Sequence, residues 1–307
     1  MRTSSIDDRT ERRVIEFVNI DHISQAVPNA DAQAEFLTRV LGLRPAQGDY
    51  RDTGFRAVTL AIPGSSRVGW EIMEPAGDES FLHRFLDGPR GPGLHHLAMR
   101  VESVEAARAS IRELGAEPWG QEEQSTYLHP ASGGHGFLFQ FFEGENWYQT
   151  EPFEDEGEHT LGIIAVNHLA HAYPDRDELG EWYERTLGFE TFWRSAERIE
   201  DAKSEFQTRV MEAPTKQMRV EVISPAGENS FIQRFLDQRG PGAHHLTVEV
   251  ADWDRAVAAL AHHEVRSFGE REGKTDGVPW REAFIHPKAT GGVLVQFFWQ
   301  AEPGHWI

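Results

Sequence analysis

The chain has 307 residues, with 30 Lys and Arg against 50 Asp and Glu, a formal net charge of −20 and no cysteine. That length accommodates two ordinary domains with proper cores, and the missing cysteine excludes disulfides, thiolate zinc sites and cysteine nucleophiles. The acidic balance repels polyanions and argues against a nucleic-acid partner.

In chain order, residues 1–16 are polar and read as a loose tail; MRTSSIDDRTERRVIEFV lacks the apolar run of a secretion signal. VNIDHISQAV predicts a strand. AQAEFLTRVLGL predicts a helix, with Phe36, Leu37, Val40 and Leu41 at helical spacing and Gly42 as its stop. FRAVTLAI and RVGWEIM follow as strands, SFLHRFL as a short helix and GLHHLAMRV as a strand. VEAARASIRELGA is a second helix stopped at Gly115, and STYLHP and GFLFQFF complete the set. No segment approaches the ~18 apolar residues of a membrane span. The expectation is a soluble, cytoplasmic protein, monomer or homodimer, without a membrane partner.

The chain then repeats itself. Trp70–Val101 returns as Val220–Val250, Asn19–Asp31 as Ala165–Asp177, and His129–Glu143 as His286–Gln300. Each copy is too long for a solenoid unit and is a domain. The boundaries expected are 17–148 and 163–307, joined by the acidic, turn-prone segment 149–162. Strand–helix–strands occurs twice within each copy, so the chain holds four such units.

Both copies carry two histidines, a glutamate and a glutamine in one order: His22, Glu71, His96, Gln140 and His168, Glu221, His245, Gln296. Imidazole, carboxylate and amide oxygen together suit a borderline or hard divalent ion. Period-2 alternation puts His96, Ala98 and Arg100 on one strand face and His95, Leu97, Met99 and Val101 on the other, and His245, Thr247 and Glu249 on the matching face. Gln140 and Gln296 sit mid-strand among aromatic and aliphatic residues, where an amide is costly without a partner. His129 and His286 precede Pro in matching loops and read as turn structure. His135 is unmatched, and His171, His262 and His263, also without counterparts, read as surface residues.

The DH and NH pairs on the first strands, the EP and SP turns, GLHHLA and GAHHLT, and the HPxxxGG loops together resemble the vicinal oxygen chelate superfamily, which includes glyoxalases, methylmalonyl-CoA epimerase and extradiol dioxygenases. The resemblance covers nearly the whole chain. It implies an α+β fold of four βαβββ modules paired into two cupped-sheet, glyoxalase-like domains. It implies a divalent metal ion (Fe(II), Mn, Co, Ni or Zn) held within each copy by the eight residues just named, and a small-molecule substrate. This sequence departs from the pattern at the last position, where the family places a glutamate and this chain has Gln140 and Gln296. With that base missing, Glu71, Glu221 or Glu249 is expected to move the proton, and Arg100 to pair with a substrate carboxylate or phosphate. The function implied is epimerase, isomerase or lyase chemistry through a metal-bound enolate on a small carbonyl or acyl substrate. The alternatives are a non-haem Fe(II) dioxygenase of the extradiol or 4-hydroxyphenylpyruvate type and a metal-free, ligand-sequestering resistance protein. The longer loops of the second copy and Glu249 make its site the expected catalyst.

Overall fold

A computed structural model describes residues 15–46, 49–52, 54–64, 66–120, 122–148, 151–195, 206–227 and 229–305. Most of the expected N-terminal tail lies outside these residues. Its last part does not hang free: Ile15 is buried and its amide donates to the Thr186 carbonyl.

The first half runs β1 (Asn19–Ala26), α1 (Ala30–Phe36), β2 (Arg44–Pro45), β3 (Tyr50–Asp52), β4 (Phe55–Ala61), β5 (Gly69–Pro75), α2 (Phe81–Leu86), β6 (Gly93–Arg100), α3 (Val104–Glu113), β7 (Ser125–Leu128) and β8 (Leu138–Phe142). The second half runs β9 (Ile163–Ala172), α4 (Arg176–Leu187), β10 (Glu190–Arg194), β11 (Phe206–Glu212), β12 (Arg219–Pro225), α5 (Phe231–Arg239), β13 (Gly242–Val250), α6 (Trp253–His262), β14 (Ser267–Thr275), β15 (Val278–Ile285) and β16 (Leu294–Gln300). The helix expected after β1 forms, but its last turn, Leu37–Leu41, widens to π geometry before Gly42. Helix starts follow side-chain caps: Asn29, Ser80, Ser103, Asp175, Ser230 and Asp252 each accept a backbone N–H of the first turn.

Each half folds one curled eight-stranded sheet, a half-barrel. The first has the order β2-β4-β5-β1-β6-β8-β7 with β3 on β4; the second is β10-β11-β12-β9-β13-β16-β15-β14. Within each, the two central strands run antiparallel (β1 with β6, β9 with β13). Each central strand is flanked by a parallel partner, β5 and β8 in the first half and β12 and β16 in the second. The convex faces and the longer helices share one apolar core, which includes Ile23, Leu97, Met99, Phe139, Leu169, Tyr183, Leu246 and Phe297. Two small clusters sit under α2 and α5, at one end of each concave face.

The halves interlock. A Cβ on Gly136 would lie 2.0 Å from the Pro241 carbonyl oxygen, and one on Gly292 would lie 1.9 Å from that of Pro92. Both glycines have positive φ, +90° and +96°, so only glycine suits either contact. Arg90 donates to the carbonyls of Gly136, Arg239 and Pro241. The joining segment is tied down as well, since Asp155 accepts from Thr160 and the amides of Gly157 and Gly162, and pairs with Arg255.

His171 corrects an expectation. It is fully buried, with Nδ1 on the Tyr183 hydroxyl at 2.9 Å and Nε2 on the His135 carbonyl at 2.9 Å. Its place in the first half is held by Gln25, which donates to the carbonyls of Thr290 and Gly291. His262 is exposed, and His263 is half-buried with its Nε2 2.8 Å from the His159 carbonyl. His129 and His286 each accept a backbone amide two residues on, at 3.1 Å.

Two candidate metal centres

The sheet order brings four neighbouring strands to the centre of each cup, and each contributes one residue of the repeated set. In the first these are β5 (Glu71), β1 (His22), β6 (His96) and β8 (Gln140); in the second, β12 (Glu221), β9 (His168), β13 (His245) and β16 (Gln296). All eight are buried. His22 Nε2 stands 3.3 Å from His96 Nε2, and both stand 3.7 Å from Glu71 Oε2. In the second cup His168 Nε2 and His245 Nε2 are 3.3 Å apart, and Glu221 Oε2 is 3.4 and 3.6 Å from them.

These triangles fit a metal. Donors about 2.0–2.2 Å from a tetrahedral ion stand roughly 3.3–3.6 Å apart. In the first cup two buried oxygens, Glu71 Oε2 and Gln140 Oε1, have no hydrogen-bond partner, and a cation satisfies both. In the second, the Thr247 hydroxyl is 2.6 Å from Gln296 Oε1 and 2.8 Å from His168 Nε2. One hydroxyl proton cannot serve two acceptors; an ion on His168 Nε2 leaves it for Gln296.

The outer nitrogens fix the ring tautomers. His22 Nδ1 meets Asp21 Oδ2 at 2.8 Å and His168 Nδ1 meets Asn167 Oδ1 at 2.8 Å. Such partners leave the Nε2 lone pair facing inward, ready to ligate. His96 and His245 are oriented by their own neighbours, with Nδ1–Nδ1 separations of 2.9 Å to His95 and 2.8 Å to His244. Simple alternation puts His95 with Leu97 and Met99, and the structure corrects this. The β1–β6 register jumps between Ser24–His96 and Gln25–Leu94, and β9–β13 jumps in the same way at His244. A bulge in each strand thus re-aims the first histidine of the pair toward the second. Phe85 and Phe235 then pack edge-on against the re-aimed rings.

Burial holds His96 and His245 well below the usual imidazole range, with help from their histidine neighbours, so both are neutral near pH 7. Burial also pulls Glu221 upward, but its interaction with His168 and the Thr208 hydroxyl outweigh it and keep the carboxylate low. Tyr148 donates to Glu71 Oε1 at 3.0 Å, as Thr208 does to Glu221 Oε1 at 2.9 Å.

The remaining expected residues lie away from the triangles. Glu249 accepts from Gln300, the Gly304 amide and Asn167. Its place is one bond behind His168, because Asn167 gives its amide N–H to Glu249 and its oxygen to the ring. Arg100 is held by Asn19, the Gly144 carbonyl and Glu102. A carboxylate that sequence comparison passed over, Glu282 on β15, is nearer the chemistry. It accepts from the Gln296 amide at 3.0 Å and from Arg271 Nε at 2.6 Å. Burial and the nearby Glu221 push it up, against the pull of Arg271. Its register partner Phe298 matches Phe142, which pairs Ser125 in the first half. Glu282 therefore has no acidic counterpart in the first copy, and a search for shared residues misses it.

The sequence profile of the Glyoxalase/Bleomycin resistance protein/Dioxygenase superfamily matches residues 21–139 and 167–284, more than half of the chain and once per half. The ethylmalonyl-CoA/methylmalonyl-CoA epimerase of Cereibacter sphaeroides is 30% identical over 118 residues, covering 38% of this chain and 81% of that protein. The human mitochondrial methylmalonyl-CoA epimerase is 31% identical over 148 residues, 48% of this chain and 80% of that protein. The 4-hydroxyphenylpyruvate dioxygenase of Yarrowia lipolytica is 24% identical over 259 residues, 74% of this chain; the match spans 64% of that protein's length. Among solved structures, a mutant of 4-hydroxymandelate synthase from Streptomyces coelicolor superposes with a TM-score of 0.67 at 15% identity, covering 93% of each chain, and shares the fold. With a profile match in each half and two cupped sheets lined by His–Glu–His triangles, this chain belongs to the glyoxalase/bleomycin resistance/dioxygenase superfamily, as a tandem member.

Proposed function

We propose that this protein is a divalent-metal-dependent enzyme of enolate chemistry, an epimerase, isomerase or lyase acting on a small carbonyl or acyl substrate. The observation that carries the reading is the pair of His–Glu–His triangles with their Nε2 atoms turned inward. A bound Fe(II), Mn, Co, Ni or Zn ion would supply Lewis-acid stabilisation of negative charge developing on a substrate oxygen. The rest falls to side chains. Glu71 and Glu221 belong to the triangles, and Glu249 is committed to three donors, so none of the three is left to move a proton. We assign that task to Glu282, which shares a strand face with Phe284, itself packed on the His245 ring at 5.7 Å. Arg271 holds one of its oxygens in place, and the other faces the cup through Gln296. The first cup has Ser125 and Tyr127 in the corresponding places, so turnover is assigned to the second. Arg100 is assigned no substrate contact.

The test is exchange of substrate α-hydrogens in D2O, followed by NMR over a panel of acyl thioesters and α-oxygenated carbonyl compounds. Exchange that disappears in Glu282→Gln, with metal content unchanged, supports the reading. A second reading rests on the likeness to a 4-hydroxyphenylpyruvate dioxygenase over most of the chain and on two imidazoles and one carboxylate, the ligand set of non-haem Fe(II) oxygenases. Dioxygen uptake by Fe(II)-loaded protein with catechols or α-keto acids, without α-hydrogen exchange, would replace the first reading by the second.

A further inference from the structure

We infer that the second cup takes a substrate with an anionic group, a carboxylate or phosphate, at the end remote from its carbonyl, and that Arg271 receives it. This deepens the function proposed above and rests on the second cup being the substrate site. Arg271 faces the cup only because β14 is irregular. Phe268 pairs with Phe284 and Arg271 with Glu282, so three steps along β14 answer two along β15. In a regular strand an odd number of steps would put Arg271 on the opposite face from Phe268. The extra residue makes a bulge, with Gly269 at φ +66°, and turns the arginine toward the cup. On that face Phe284 meets the His245 ring and Glu282 meets the Gln296 amide.

A guanidinium has two edges that can each grip a pair of oxygens. Glu282 occupies the inner one with a single oxygen, Oε1, on both Nε and Nη2. The outer edge, Nη1 with the second N–H of Nη2, has no partner among the described residues. The side chain is 54% exposed, so a ligand can reach that edge, which matches a carboxylate or phosphate by bidentate pairing. The Phe284 ring leans on His245 and the Phe268 ring on Phe284, at 5.7 and 5.8 Å, so an apolar wall leads from the triangle to β14. Such a wall suits an apolar middle segment of the ligand. The first cup has the opposite charge at this place. Trp119 bridges Tyr127 where Phe268 pairs with Phe284, and three residues past Trp119 the chain has Glu122, where past Phe268 it has Arg271. The attraction for an anionic tail therefore belongs to the second cup.

The experiment titrates the full chain, loaded with Co(II), with α-keto diacids of five, six and seven carbons and with the α-keto monoacids of the same carbon number, which end in methyl. Binding is read from the visible absorption of Co(II) and by calorimetry. At least one diacid should bind roughly tenfold or more tightly than its monoacid. That preference should survive His22→Ala and vanish in His168→Ala. It should fall below about twofold in Arg271→Gln, and Arg271→Lys should keep part of it. No preferred diacid in wild type, or a preference that follows His22 instead of His168, would overturn the inference alone. So would an equal loss for both kinds of acid in Arg271→Gln, the mark of a residue that only props Glu282. Co(II) that does not bind, or an absorption that no acid of either kind alters, would overturn the reading of the second cup with it.

Discussion

The two cups carry the same inner residues on the same strands and the same histidine pairs, His95–His96 and His244–His245, and they differ in most of the other groups that touch them. Asp21 backs His22 where Asn167 backs His168; Tyr148 holds Glu71 where Thr208 holds Glu221; Ser125 stands where Glu282 does. Duplication fixed the positions from which a metal can be held, because those follow from strand order and pleat. The neighbours were left to diverge, because they need only be buried and hydrogen-bonded. A ligand list alone makes the cups equal; the surrounding donors and acceptors make them different.

The largest expected effect is on turnover. Glu221→Ala should lower it by roughly a hundredfold or more, through loss of a ligand at the working ion, and Glu71→Ala by less than about tenfold. Steady-state rates at saturating metal check this, and equal losses break the comparison. Next comes acid stability. Burial lowers His171 to about 3, whereas its unfolded counterpart takes a proton near 6.5. The fold is therefore unaffected above pH 6.5 and loses stability as pH falls from there toward 3. His171→Gln, which copies Gln25, should recover on the order of a few kcal/mol near pH 4 and change nothing at pH 8, as read from urea melts. Smaller still is the interface: Arg90→Ala should cost about 2–3 kcal/mol through its lost carbonyl contacts. Its sequence counterpart Arg239, exposed, should cost less than about 0.5 kcal/mol on the same change. The smallest effect is at Glu249. Glu249→Gln should weaken the second ion by about threefold through Asn167 and leave the first untouched, as measured by chelator competition.

Much of this was legible in the chain. The strand that holds His96, the turns that flank it and the four matched polar residues per copy follow from period-2 alternation and from repetition, which needs no partner to be visible. The bulges at His95 and His244 were not, because a register jump between two strands leaves no mark on either strand's own pattern. His171 was misjudged for a related reason. It has a counterpart, Gln25, but one of different type, and only the packing of the halves shows that each reaches across to the matching loop of the other half, Gln25 to Thr290 and Gly291 and His171 to His135. Glu282 stayed hidden because it belongs to one copy alone, and repetition reveals only what is shared.

The interlocking glycines have a consequence for how such a molecule holds together at low abundance. Gly136 comes four residues before Gln140 and presses on Pro241, four residues before His245; Gly292 comes four before Gln296 and presses on Pro92, four before His96. Each cup's last donor strand is braced by the turn that launches the other cup's inner histidine. A chain of half this length would have to borrow that brace from a second copy of itself and would lose it on dilution. Tethering the halves through residues 151–162 turns the encounter into an intramolecular one, with an effective concentration on the order of millimolar. The geometry of both candidate metal sites then no longer depends on how much of the protein is present.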